Sequence, residues 1–132
     1  MRVVLDTNVL VSALLTPAGV CRQLIRWVPN RKFIICLNDR IRAEYETVLH
    51  RPKFSAFKEE IQELLELVFW WAEEINTLPL PVVLPDPTEL PFLEVALTAQ
   101  AVLVTGNKRH FPEKLCRSVK IVSPREMLDL LR

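Results

Sequence analysis

The sequence predicts an α/β layer sandwich with a central, mostly parallel sheet of four to five strands. Two observations predict it. Short β-branched runs alternate along the chain with longer segments whose apolar residues recur at helical spacing. Half of the 132 residues are hydrophobic, enough to cover both faces of such a sheet. No repeat, low-complexity tract or compositional break divides the chain, so residues 1–132 are expected to form one domain.

The elements follow in order. Val3–Leu5 reads as a buried strand, ended by Asp6-Thr7-Asn8, and Val9–Leu15 as a helix that Asp or Asn caps. Pro17-Ala18-Gly19 interrupts, and a second helix covers Val20–Val28. Phe33–Leu37 is the next strand. Asn38 or Asp39 caps a helix that runs to Leu49 and stops at His50-Arg51-Pro52. The longest helix is predicted from Phe57 to Ile75, with Ile61, Leu64, Leu65, Val68, Ala72 and Ile75 on one stripe. Trp70 and Trp71 cannot both face one core, because helical neighbours diverge by about 100°, so one of them is expected in a dimer contact or under the loop that follows. That loop, Thr77–Pro91, holds five of the ten prolines and is expected to be extended, with a short edge strand around Val82-Val83. Phe92–Ala101 reads as a buried helix, Val102–Thr105 and Lys120–Val122 as strands. Ser123-Pro124-Arg125-Glu126 has the form of a capping box opening a terminal helix.

Composition excludes several functions. Two glycines, Gly19 and Gly106, cannot build a P-loop or a dinucleotide fingerprint. Cys21, Cys36 and Cys116 are odd in number and far apart, so free thiols in a reducing compartment are expected. Met1 leads directly into the first strand without a secretory leader, and no apolar stretch reaches the roughly 18 residues of a membrane span. A cytoplasmic protein is therefore expected. The net charge of +1 favours no particular partner.

In open parallel sheets, sites form beyond the carboxyl ends of the strands. Asp6 and Asn8 follow the first strand, Asp86 and Glu89 precede the Phe92 helix, and Thr105 and Asn107 follow the Val102 strand. Glu44, about two turns into its helix, reaches the same rim. Converging carboxylates repel one another, and a divalent cation resolves the repulsion. Oxygen-only ligands suit Mg2+ or Mn2+. Asp86 before Pro87 and Asn107 after Gly106 fit a turn as well as a site. Glu94, five residues beyond Glu89, points elsewhere and is expected to find a salt bridge or solvent. His110 has no His or Cys partner nearby, so no zinc site is expected; it suits turn packing or an RNA contact. Lys108, Arg109, Lys114 and Arg117, Arg22 and Arg26, and Arg40, Arg42, Arg51 and Lys53 form basic groups able to meet phosphates or simply face solvent. The acids Glu59, Glu60, Glu63, Glu66, Glu73 and Glu74 turn the long helix away from RNA.

Four blocks in register carry a resemblance: Leu5-Asp6-Thr7-Asn8-Val9-Leu10; Ile41-Arg42-Ala43-Glu44-Tyr45 with Val48-Leu49; Asp86-Pro87-Thr88-Glu89 ahead of Phe92-Leu93-Glu94-Val95-Ala96-Leu97; and Leu103-Val104-Thr105-Gly106-Asn107-Lys108-Arg109-His110-Phe111. Their order and spacing resemble the PIN-domain family, particularly its VapC-type toxin branch. The resemblance implies a three-layer α/β/α PIN-like fold and a Mg2+- or Mn2+-dependent endoribonuclease. Asp6, Glu44 and Glu89 would hold the metal, with Asn107 assisting, Asp86 in reserve and Thr105 and Asn8 as further candidates. Lys108 and Arg109 would meet RNA. It also implies the toxin of a toxin–antitoxin pair, a cognate antitoxin and a homodimer. The chain departs from the family where a fourth acid is common, at Asn107 or at His110. That departure motivates an alternative, a PIN-like module that binds RNA or a partner without cutting. A phosphatase or phospho-acceptor using Asp6 is a weaker rival, since no well-placed lysine supports it.

Overall fold

The computed structural model describes residues 1–116 and 118–132. Arg117, among the basic residues named above, lies outside the described residues. Five strands form one sheet in the order β3-β2-β1-β4-β5: β1 (Arg2–Leu5), β2 (Ile34–Leu37), β3 (Glu73–Glu74), β4 (Val102–Val104) and β5 (Ile121–Val122). Every pairing is parallel. Six helices pack on the sheet in a three-layer α/β/α sandwich, as expected: α1 (Thr7–Leu15), α2 (Val20–Arg26), α3 (Asp39–Leu49), α4 (Lys58–Trp71), α5 (Leu90–Ala99) and α6 (Pro124–Leu130).

β1 lies at the centre, bonded to β2 on one side and β4 on the other. Its Val3, Val4 and Leu5 are fully buried, which accounts for an unbroken apolar run rather than an alternating one. Helix starts follow local chemistry. Asn38 accepts the N–H of Ile41 (3.0 Å) at the head of α3. The box at α6 is complete, with Ser123 Oγ accepting from Glu126 N (3.1 Å) and Glu126 Oε1 accepting from Ser123 N (2.8 Å). All three cysteines are free and buried, and burial pushes the Cys36 thiol up to about 11, so it stays an inert thiol. Among the described residues, no single helix is long and apolar enough to cross a membrane.

Two expectations need correction. The long helix ends at Trp71, not Ile75, because Ala72 turns extended (ψ 147°). Glu73 and Glu74 then pair with Cys36 and Leu37 as the edge strand. Their carboxylates meet Arg2 (2.9 Å, Glu73) and Arg42 (Glu74), and Ile75 N donates to Leu37 O (2.8 Å). Tertiary pairing overrides helical propensity here. Val82-Val83, read as the edge strand, is coil. Pro79, Pro81 and Pro85 around it lack the donors a ladder needs. Of the paired tryptophans, Trp70 is 81% exposed and Trp71 packs half-buried against the core.

α5 ends on Gln100 in the left-handed conformation (φ 53°, ψ 45°). A β-carbon there costs about 1–2 kcal/mol, which Gly avoids at an entropic cost of about 0.5–1 kcal/mol. Gln100→Gly is therefore expected to raise the unfolding free energy by about 0.5–1 kcal/mol. Urea denaturation checks it; an unchanged or lower midpoint would contradict the assignment.

Candidate metal centre

Parallel pairing sets the ends of β1 and β4 side by side. Leu5 is in register with Val104, and Asp6 N donates to Val104 O (2.9 Å). Asp6 occupies the cap position of α1, yet its side chain makes no cap bond. Asp6 Oδ2 instead accepts from Thr105 Oγ1 (2.7 Å) and Asn8 Nδ2 (3.0 Å). Asn8 Oδ1 accepts from Gly106 N (3.0 Å), and Thr105 Oγ1 from Asn107 N (3.0 Å). Asn8 and Thr105 thus aim a carboxylate that is only 1% exposed. Helix capping alone does not explain this arrangement.

Glu89, at the end of the Pro87–Glu89 turn, and His110, at the end of the Lys108–His110 turn, close on Asp6. One ligand atom from each of the three lies within 4.8 Å of the other two. Burial raises the Glu89 carboxyl to about 9, with Asp6, Asp86 and Glu44 adding negative potential. Without a cation, Glu89 therefore keeps its proton at neutral pH. Glu89 Oε2 and His110 Nδ1 are buried without hydrogen-bond partners. Unpaired buried donors and acceptors are costly, and a hard cation between these groups would satisfy them. The donor set fits a divalent ion.

Glu44, half-buried on α3, stands close enough to raise Glu89 but outside the tight group. Asp86 caps the turn before Glu89, accepting from Thr88 N (3.0 Å) and Thr88 Oγ1 (2.7 Å), bonds that hold its carboxyl below the usual range. Asn107 Oδ1 accepts from Arg109 N (3.3 Å), which turns its amide nitrogen toward His110 Nε2 (3.1 Å). His110 Nδ1 faces Glu89 Oε1 at 3.5 Å. Sequence reasoning missed His110 as a member of the cluster. The signal was its place three residues after Asn107, where the resemblance implies an acid.

The basic residues are mostly engaged. Lys108 pairs with Glu126 (2.5 Å), which holds the Glu126 carboxyl at about 2. Arg22 donates to Ala13 O (2.8 Å), Arg26 to Pro17 O (3.5 Å), and Arg42 bonds Glu74 and covers Phe69. Arg109 is exposed beside the site. Tyr45, next to Glu44, is fully buried between Phe69 and Phe92 and donates to Leu5 O (2.5 Å), pinning α3 to the end of β1. Burial holds its phenol far above the usual range, so it remains a donor.

The family model described as PIN domain matches residues 2–109. The fold is similar to that of a chain in the crystal structure of VapBC2 from Rickettsia felis bound to a DNA fragment from their promoter. The TM-score is 0.62 at 18% identity, over 93% of this chain and 98% of that one. No curated protein matches the sequence.

Two outcomes are expected of this geometry. Thr105→Val, which keeps shape but removes both the donor to Asp6 and the acceptor for Asn107 N, is expected to cost about 1–3 kcal/mol in denaturant unfolding; a cost below about 0.5 kcal/mol would mean the two bonds carry no weight. In chelator, the pH dependence has a fixed sign. Unfolded Glu89 loses its proton near 4.5 and folded Glu89 near 9, so between those values the folded state binds more protons and stability falls as pH rises. Glu89→Gln should flatten that slope in a series of thermal melts, and parallel slopes for the two proteins would refute the assignment.

Proposed function

The chain belongs to the PIN domain family, and from that premise we propose that it is a metal-dependent endoribonuclease of the VapC toxin type, acting in the cytoplasm. The observation that carries this reading is the convergence of Asp6, Glu89 and His110 with two unpaired buried atoms among them. Asp6 and Glu89 would hold the ion, with Glu44 at the rim and Asn107 setting the His110 ring. When bound, a divalent cation supplies charge neutralisation and Lewis acidity at a phosphodiester. To hold the ion, Glu89 would give up its proton. An imidazole beside two carboxylates tilts the choice between Mg2+ and Mn2+ toward Mn2+. Arg109 and Lys108, the latter released from Glu126, would grip phosphates of single-stranded RNA and set its register.

The fold shared with VapBC2 supports pairing with an antitoxin, and self-association is part of the same reading. The exposed Trp70 lines a groove of about 840 Å³ with Leu65 and Phe69 among Glu46, Lys58 and Glu66, a mixed apolar and charged surface suited to a protein partner. One observation favours the alternative, a PIN-like module that binds without cutting: His110 stands where a fourth carboxylate would add charge.

Incubation of the purified protein with mixed RNAs and Mn2+ separates the two. Asp6→Asn and Glu89→Gln are each expected to lower cleavage by about a hundredfold or more, the scale of a few kcal/mol of transition-state stabilisation. Wild-type cleavage no faster than Asp6→Asn would leave the binding module standing.

A further inference from the structure

We propose that Glu94 and Arg40 are positioning residues for the metal centre: their ion pair ties α5 to α3 and so fixes Glu89 against Glu44. The inference rests on the metal reading above.

Glu94 is a carboxylate in the interior, 2% exposed, and it is not a member of the Asp6, Glu89 and His110 group. Both of its oxygens are committed. Oε1 accepts from Arg40 Nη1 (3.1 Å) and Oε2 from Leu80 N (2.8 Å). Burying a carboxylate is costly and is tolerated only with such partners. Each partner belongs to a different part of the site's frame. Arg40 is on α3, four residues and hence one helical turn before Glu44, on the same face. Glu94 is on α5, which begins directly after Glu89. Leu80 is in the proline-rich segment that leads to Asp86 and Glu89. Pro79 and Pro81 flank it and have no N–H, so Leu80 supplies the one donor of that stretch, and Glu94 takes it.

The Arg40–Glu94 pair is thus a direct tie between α3, which carries Glu44, and α5, which begins directly after Glu89. The stiff proline segment, tied at Leu80 by Glu94 and at Thr77 by Asn38 Nδ2 (3.2 Å), carries that placement forward to Glu89.

Arg40 gives the cleaner test, because its side chain is 61% exposed and its removal does not empty the core. Arg40→Met keeps the aliphatic stem and removes the donors. Loss of a positive charge near the acidic cluster should by itself strengthen cation binding, so weaker binding isolates positioning. Calorimetric titration of the full chain with Mn2+ is expected to show about tenfold weaker binding for Arg40→Met, and binding within about twofold of wild type for Arg40→Lys, which keeps a charged donor. Thermal melts in chelator confirm that each variant is folded. Metal affinity is the readout because cleavage would also fall if Arg40 gripped RNA, whereas ion binding would not. Arg40→Met binding Mn2+ as tightly as wild type, or more tightly, overturns the positioning role and leaves the metal reading intact. Wild type that takes up no Mn2+ overturns the metal reading, and the positioning role falls with it.

Discussion

The site depends on the parallel pairing of β1 with β4. That pairing ends both strands at one level and places Asp6 beside Thr105, ninety-nine residues away in sequence. Once Asp6 is fixed there by Thr105 and Asn8, any further acid brought to the rim meets a buried negative charge. Glu89 answers by holding its proton to about 9. A fold that gathers acids this closely must either keep them protonated or neutralise them, and the second choice is what gives such a cluster its chemistry.

Around this centre lie contacts that hold the acids in place without joining them. Tyr45 bonds the carbonyl before Asp6, Arg40 reaches Glu94, and Asn38 and Glu94 hold the proline-rich segment. α3 and its cap residue Asn38 therefore reach β1, α5 and the proline segment through three different side chains. The rim is a joint product of elements far apart in sequence, and precise ligand placement demands such support.

The fold was legible because its strands are buried on both faces and so read as unbroken apolar runs, and because Asn38 and Ser123 announce their helices. Legibility failed where long-range pairing decides the local structure. Glu73-Glu74 looks helical by composition and becomes a strand only because Cys36-Leu37, Arg2 and Arg42 are there to receive it, which no local pattern records. In the site, Asp6 and Glu89 could be placed from strand ends and helix starts. Glu44 could be brought near the rim but not inside the tight group. His110 was hidden because its place in the cluster depends on how the turn after Asn107 brings its ring toward Asp6 and Glu89, a relation visible only in three dimensions.

The sheet ends in very short strands on both sides, two residues in β3 and two in β5. At β3 those residues are both glutamates, each engaged by an arginine. Open strand edges are templates on which other chains can stack and grow into fibrils, and brief, charged edges are poor templates. A protein whose core strands are this apolar is thereby guarded against aggregation at the margin where its sheet would otherwise continue.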